Sequence, residues 1–289
     1  MPPEPLIFRD AEKARDAITQ EQRQEIKRLY SDWADEIADR AAYYSLKSTS
    51  SAALSEYYYR DLEKMLIEAS ERISDKVKQT ATKNIWRMSD VVVSSNVEWM
   101  SSLGFNAVKL RASMSSVPDA IVQRLVTGQI YESGWSLSKS LWTDNQATQK
   151  QIYEIVAGGM AQNKSIYEMS KDLERWINPD KARPWNLRNA AGRKIYPREV
   201  DYSAQRLART LVQHSYQQSF VEATKDNDLI ESYTWIANGS RVCPLCADRN
   251  GKVFAKDDLP LDHPNGMCVW VPNVVHDWKQ QLAAMLSLQ

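Results

Sequence analysis

Apolar residues near the N-terminus recur with the spacing of amphipathic helices. They fall in two series in which neighbours are three or four positions apart, which places each series on one face of a helix. The first series is Ile26, Leu29, Trp33, Ile37 and Ala41, and the second is Leu54, Tyr58, Leu62, Met65, Ala69, Ile73 and Val77. A break rich in serine and threonine at residues 48–51 separates them, and a third helical stretch is predicted at residues 86–100.

The same part of the chain lacks the residues that usually end helices. No glycine or proline occurs in residues 6–103, although the chain of 289 residues contains 9 glycines and 11 prolines. Long helices are therefore expected. The chain also has 10 tryptophans and 13 tyrosines, and aromatic residues on long helices are typical of core packing or of contact with another subunit. Residues 1–116 are predicted to be a long-helix assembly region.

Glycine and proline return after Val117 and indicate shorter helices. Thr143 or Asp144 is predicted to cap a helix that contains Ala157. Gly158 is expected to end this helix, since glycine is common just beyond the last helical residue.

A second helix is predicted from a capping box, in which Glu168 follows Ser165 at a distance of three residues. The pair Asn178 and Pro179 is expected to end this helix. Its apolar face consists of Ile166, Met169, Leu173 and Trp176. Residues 117–199 are therefore predicted to form a helical hairpin followed by a basic loop.

Residues 181–209 hold the one local excess of positive charge. Eight basic residues stand against Glu199 and Asp201, and they are Lys181, Arg183, Arg188, Arg193, Lys194, Arg198, Arg206 and Arg209. Such a segment is a candidate surface for phosphate groups or for an acidic partner. No groove-reading motif accompanies it, so a solvated surface loop, exposed at residues 186–197, is the favoured interpretation.

The C-terminal part, residues 200–289, has the pattern of a small α+β module. A helix at residues 200–224 is apolar on two sides and is expected to lie between other elements. Arg209 and His214 on this helix are interpreted as structural residues. Short strands are predicted at residues 233–237, 252–255 and 268–271, followed by a helix at residues 275–288. The predicted fold class is therefore mainly α, with long N-terminal helices, a helical middle region and this module.

All three cysteines of the chain lie in the module. Cys243 and Cys246 have the C-x2-C spacing of a metal knuckle, and His263 and Cys268 follow. These four residues form a Cys3His set, for which Zn2+ is the natural occupant. Four protein ligands leave no position for water, so the predicted zinc site is structural. The alternative is a reduced cysteine pair in a turn, a loop histidine and a buried strand cysteine.

The order of residues in this region resembles the C-terminal motif of phage head morphogenesis proteins, the minor head proteins similar to protein F of phage Mu. The resemblance covers residues 201–272. Its motif is Ala208-Arg209-Thr210, Trp235, Cys243-Pro244-x-Cys246, Asn250-Gly251-Lys252-Val253-Phe254, His263-Pro264-Asn265 and Cys268. Many relatives read HPNCRC, whereas this chain has Gly266 and Met267 at the fourth and fifth of these positions.

The resemblance implies a minor structural protein of a phage head that acts in head assembly, with DNA packaging or ejection as further roles. Its expected partners are the portal protein and the major capsid protein or scaffold, and residues 181–209 would contact packaged double-stranded DNA. The expected location is the head interior, after assembly in the host cytoplasm. The resemblance implies no enzyme activity.

Two other classes of function remain open. A zinc-containing DNA-binding protein is disfavoured by a net charge of zero, with 37 basic and 37 acidic side chains. A metal-dependent hydrolase or nuclease is disfavoured because the sequence has no H-E-x-x-H motif and no second histidine near His263. Asp257, Asp258 and Asp262 are interpreted as turn residues. No signal peptide and no run of 18 apolar residues is found, so no membrane contact is expected.

Overall fold

A computed structural model describes residues 6–46, 52–131, 134–181, 188–194, 200–238 and 242–287. Its helices are α1 (Leu6–Leu46), α2 (Ala52–Ser102), α3 (Ala107–Ser113), α4 (Val117–Thr127), α5 (Leu137–Ala161), α6 (Ile166–Ile177), α7 (Val200–Thr224), α8 (Pro244–Arg249) and α9 (Trp278–Leu286). The strands are β1 (Ile230–Ile236), β2 (Val253–Ala255) and β3 (Val269–Val274). The fold is mainly helical with a small C-terminal antiparallel sheet, which confirms the predicted fold class.

Helix α2 is longer than the sequence prediction allowed. The third stretch, predicted at residues 86–100, is not a separate helix, because α2 continues from Ala52 to Ser102. The buried series of Leu62, Ala69, Ile73 and Val77 is continued by Ala81, Ile85, Met88 and Val92, so one apolar face serves the whole helix. The predicted break at residues 48–51 lies outside the described residues.

The chain divides into two compact units. The first consists of Met1–Glu21, Ala81–Ser136 and Leu207–Gln289, and the second of Gln22–Thr80 and Leu137–Arg206. Each unit is assembled from discontinuous stretches, whereas the sequence prediction divided the chain into consecutive segments at residues 116 and 199.

In the second unit, the predicted capping box starts α6. The Ser165 hydroxyl accepts a hydrogen bond from the backbone N–H of Glu168 at 3.2 Å, and the Glu168 carboxylate accepts one from the backbone N–H of Ser165 at 2.9 Å. Together the two bonds satisfy donors that the first turn leaves unpaired. Helix α6 ends at Ile177, and Met169, Leu173 and Trp176 are buried. The second predicted helix of the hairpin is therefore confirmed.

Helix α5 differs from its prediction at both ends. It begins at Leu137 and continues through Gly158 and Gly159 to Ala161. The two glycines do not end the helix. Their lack of a side chain allows the Arg188 backbone and the Met169 side chain to pack closely against it. A Cβ on Gly158 would lie 1.7 Å from the carbonyl oxygen of Arg188, and one on Gly159 would lie 2.2 Å from Cε of Met169.

The first unit is built around α7 and the sheet. Strand β1 lies at the centre of the order β2-β1-β3 and is antiparallel to both neighbours. The core of this unit includes Ala11, Ile18, Met88, Val92, Trp99, Val212, Tyr216, Phe220, Tyr233, Trp235 and Trp270. Both apolar sides of α7 are buried, as predicted. Residues of α1 and α2 thus complete the core on which the sheet packs.

The two glycines of α5 give a matched pair of substitutions. We expect Gly158→Ala to lower the free energy of unfolding by about 1–3 kcal/mol, because the new methyl group meets backbone atoms that cannot rotate away. Gly159→Ala should cost less, since the flexible Met169 side chain can shift and alanine gains about 0.5–1 kcal/mol in a helix interior. Urea denaturation of both variants measures the difference. An equal loss, or a larger loss for Gly159→Ala, would contradict the packing argument.

Candidate metal centre

The first part of the centre is a knuckle formed by residues 243–246. Cys243 has extended backbone angles, φ −75° and ψ 160°, and caps the N-terminus of α8. Its Sγ accepts a hydrogen bond from the backbone N–H of Cys246 at 3.4 Å. Pro244 suits the first helical position because no backbone N–H is needed there. The tight turn places both thiols at one end of this short helix.

The second part is the metal loop, residues 262–268, which leads into β3. Strand β1 pairs Trp235 with Trp270 of β3 and pairs Tyr233 with Phe254 of β2. The knuckle follows β1 and the metal loop follows β2, so the sheet brings the two segments together. Cys268 is the residue immediately before β3.

The four predicted ligands and Asp262 lie close together. Two groups of possible ligands, each with ligand atoms within 4.8 Å of one another, share Cys246. The first group is Cys243, Cys246 and His263, and the second is Cys246, Asp262 and Cys268. The distance from Cys243 Sγ to His263 Nε2 is 3.3 Å, and none of the three cysteines forms a disulfide. The five residues can hold a metal ion.

The geometry allows a tetrahedral ion after a small adjustment. Zn–S bonds of about 2.3 Å would place two sulfurs roughly 3.8 Å apart. Within each group the ligand atoms lie no more than 4.8 Å apart. The four predicted ligands do not all fall in one group, so cysteine side chains would have to rotate for a single ion to contact all four. Three sulfurs and one imidazole, drawn from one small region, fit zinc chemistry.

Asp262 is a member of the centre that the sequence analysis did not identify. Interpreted there as a turn residue, it is only 3% exposed. Its carboxylate accepts hydrogen bonds from the backbone N–H of His263 at 2.9 Å and of Cys268 at 2.9 Å. It also accepts one from the Gln213 amide at 3.1 Å. Asp262 therefore fixes the backbone on which two of the predicted ligands are mounted.

His263 is better placed than Asp262 to act as the fourth ligand. Its Nδ1 lies 3.0 Å from the carbonyl oxygen of Pro264, which can only accept, so Nδ1 carries the proton. Nε2 then has its lone pair available, and it is the nitrogen near Cys243. This is the usual arrangement of a metal-binding histidine, with the second nitrogen hydrogen-bonded to a carbonyl. The Asp262 oxygens are already occupied by N–H donors.

Gly266 has no side chain because the Asp262 carboxylate fills that space. A Cβ at position 266 would lie 2.1 Å from Oδ2 of Asp262. Around it the loop turns tightly: Asn265 has φ 71°, and the Gly266 N–H donates to the carbonyl of His263 at 2.8 Å. The backbone N–H of Asn265 also donates to the Thr210 hydroxyl at 3.0 Å. The glycine is thus required by the same carboxylate that orders the loop.

His214 supports the metal loop from α7. Its Nε2 lies 2.9 Å from the carbonyl oxygen of Asp262, and its Nδ1 lies 2.6 Å from the Tyr131 hydroxyl. Nε2–H therefore donates to the loop, and Nδ1 accepts from the tyrosine. Burial lowers the pKa of His214, which keeps the ring neutral. The structural interpretation of this histidine is in accord with these contacts.

The thiols have different electrostatic surroundings. The backbone N–H of Cys246 lowers the pKa of Cys243 because it stabilises the thiolate. Burial raises the pKa of Cys246, and the nearby Cys268 and Asp262 add to this effect. The hydrogen bond to Pro264 raises the pKa of His263. Metal ligation requires thiolates, so a bound cation would supply the positive charge that the buried Cys246 lacks.

Other residues singled out in the sequence lie elsewhere. Asp257 and Asp258 are exposed in the turn after β2 and belong to neither group of possible ligands. In the basic segment, residues 188–194 form an exposed hairpin, and Lys181 pairs with Glu174 at 2.7 Å. Arg183 and Arg198 lie outside the described residues. The prediction of an exposed loop is confirmed for residues 188–194.

A cavity in the second unit has a volume of about 90 Å³ and is lined by residues that include Tyr30, Trp33, Asp144 and Thr148. This is well below the roughly 300–1,000 Å³ of typical small-molecule sites.

Among the described residues, no helix is both long enough and apolar enough to cross a membrane.

Comparison of the chain with models of protein families, with curated proteins and with solved structures finds no match.

The loop geometry predicts different effects for Asp262 and His263. We expect Asp262→Asn to weaken metal affinity about 10–100-fold, as loss of a residue that positions ligands does, while about one metal per chain still binds at saturation. His263→Ala should lower the metal content even at saturation. Asp258→Asn, an exposed change on the neighbouring turn, is the control. Metal analysis with chelator competition gives both quantities. Retention of metal by His263→Ala, with complete loss in Asp262→Asn, would make Asp262 the ligand.

Proposed function

We propose that this chain is a minor structural protein of a phage head, associated with the portal and the inner capsid and acting in head assembly. The observation that carries the proposal is the close approach of Cys243, Cys246, His263 and Cys268, the residues of the resembling motif. They come from two separate segments, residues 243–246 and residues 263–268, and each belongs to the motif quoted for minor head proteins. DNA packaging or ejection is a further role within this proposal.

The metal in this proposal is zinc in a structural site. Three cysteines and one histidine suit its preference for sulfur and nitrogen ligands. When bound, the ion would join the knuckle to the metal loop and so tie the β1–α8 connection to the start of β3. Zinc ligation of this kind contributes folding free energy directly. The sheet has only three short strands, so such a link would stabilise it substantially.

No enzyme activity is part of the proposal. Four protein ligands would leave zinc no open position at which to activate water. The exposed Asp257 and Asp258, the acidic residues considered for a hydrolase or nuclease, belong to neither group of possible ligands.

The proposed partners are the portal protein, the major capsid protein or scaffold, and packaged DNA. Exposed aromatic residues on the long helices support a protein contact, since Tyr43 is 43% exposed, Tyr57 64% and Trp86 43%. The exposed hairpin at residues 188–194 contains Arg188, Arg193 and Lys194, which suits contact with phosphates. The proposed location is the head interior, after assembly in the host cytoplasm.

A zinc-containing DNA-binding protein is the second candidate. The same basic hairpin at residues 188–194 favours it, while the net charge of zero disfavours tight general binding. Binding to duplex DNA that is sequence-selective at physiological salt, in the absence of any head protein, would support this candidate over the first.

Metal content tests the zinc site. We expect protein purified without added zinc to carry about one zinc per chain, and Cys243→Ser to lose it because a ligand is removed. Ser240→Ala, a change close to Cys243 in the sequence that removes no cysteine or histidine, is the control. Elemental analysis measures the metal, and thiol titration of the native protein counts accessible cysteines. A wild-type metal content near zero, with three titratable thiols, would contradict the site.

Association with the portal tests the role in the head. We expect the full chain to co-purify with portal protein from assembling heads, and exposed aromatic changes such as Tyr57→Ala to weaken this association. Tyr57→Phe, which keeps the ring, is the matched control. The measurement is the ratio of this chain to portal protein in purified assemblies. Absence of the wild-type chain from heads and portal assemblies would contradict the proposal.

A further inference from the structure

A buried arginine on α1 lies behind the metal loop. Arg15 is only 1% exposed, which is unusual for a charged side chain. Its Nη1 donates to the side-chain oxygen of Gln213 at 3.1 Å and to the carbonyl oxygen of Met267 at 3.3 Å. On its other side, the guanidinium pairs with Asp16 at 2.9 Å and lies 5.2 Å from the centre of the Tyr216 ring.

Gln213 connects this arginine to the metal loop. The glutamine is 1% exposed, and both the oxygen and the nitrogen of its side-chain amide form hydrogen bonds. Oε1 accepts from Arg15, which fixes the orientation of the amide because arginine can only donate. Nε2 then donates to the Asp262 carboxylate at 3.1 Å and to the carbonyl oxygen of Cys268 at 2.6 Å.

The backbone of Cys268 is thereby held on both sides. Its N–H donates to Asp262 at 2.9 Å, and its carbonyl accepts from Gln213. The preceding carbonyl, that of Met267, accepts from Arg15. A chain of hydrogen bonds therefore runs from a helix near the N-terminus to a predicted metal ligand more than 250 positions away in sequence.

We propose that Arg15 and Gln213 are positioning residues for the metal centre, and that metal binding in turn holds the N-terminal part of α1 in place. The two residues keep the carbonyls of Met267 and Cys268 and the Asp262 carboxylate in the arrangement that presents Cys268 to the metal. When the metal leaves, the loop relaxes, so Arg15 loses its acceptor on Met267 and Gln213 loses its acceptors on Asp262 and Cys268. The backbone amides of residues 9–21 of α1 then become less protected from hydrogen exchange. This inference rests on the metal site of the proposed function.

The competing account is that Arg15 is only a core residue, satisfied by Asp16 and Tyr216. In that case its loss destabilises the first unit and leaves the metal affinity of the folded protein unchanged. Hydrogen exchange in α1 also distinguishes the two roles. If Arg15 is only a core residue, exchange at residues 9–21 does not depend on metal, whereas a positioning residue makes it depend on metal.

The experiment uses the full chain in three forms: wild type, Arg15→Lys and Arg15→Met. Arg15→Lys keeps the charge but removes the planar guanidinium, which bonds Gln213 and Met267 through Nη1 and Asp16 through its other nitrogens. Arg15→Met keeps similar bulk without the charge. Arg23→Met, at an exposed position on the same helix, is the matched control. Zinc affinity is measured by chelator competition, and hydrogen exchange of residues 9–21 is compared with and without zinc. Helix α6 of the second unit provides the internal reference.

We expect both Arg15 variants to bind zinc about 10–100-fold more weakly than wild type and Arg23→Met to bind it normally. In wild type, zinc removal should speed exchange at residues 9–21 and leave α6 unchanged, and in Arg15→Met this zinc dependence should disappear. Two results would overturn this inference and leave the metal site standing. One is an unchanged zinc affinity in folded Arg15→Lys, and the other is hydrogen exchange at wild-type residues 9–21 that is the same with and without zinc. A wild-type protein that binds no zinc would overturn the proposed metal site as well.

Discussion

The carboxylate of Asp262 is the group on which the candidate metal centre depends. A buried carboxylate is costly unless hydrogen-bond donors replace its water. Here two backbone N–H groups of the metal loop and the Gln213 amide replace it, so the loop must wrap around the carboxylate. That wrapping requires a glycine at position 266 and sets the positions of His263 and Cys268. One desolvated group thus determines the shape of a seven-residue loop.

The core beneath this loop is formed by the C-terminal sheet and α7 together with residues of α1 and α2, so the C-terminal segment does not form a core by itself. Trp235 on the central strand β1 is paired with Trp270 on the neighbouring strand β3, and residues from α1 and α2 complete the core that covers them. Helix α7 contributes Val212, Tyr216 and Phe220 to this core. It also supplies Thr210, Gln213 and His214 to the loop. The candidate metal site and the apolar core are therefore connected, because the helix that fills the core also presents polar side chains that orient the possible ligands.

The sequence predicts features that arise from neighbouring residues. The capping box of Ser165 and Glu168, the two buried sides of α7 and the clustering of the cysteines all follow from short-range spacing. Prediction from the sequence fails where contacts between residues distant in sequence determine the structure. Gly158 continues a helix because the Arg188 backbone lies against it, and the roles of Asp262 and Arg15 depend on partners brought close by the fold. The sequence around a charged residue does not indicate which distant residue it will contact in the folded protein.

The most direct test of the central claim is X-ray absorption at the zinc edge of the purified full chain. A structural centre made by Cys243, Cys246, His263 and Cys268 predicts three sulfur neighbours at about 2.3 Å and one nitrogen at about 2.0 Å. This spectrum should not change on addition of small anions, because no ligand position is open. Fewer than three sulfur neighbours, or oxygen ligands from water or from Asp262, would contradict a closed Cys3His centre.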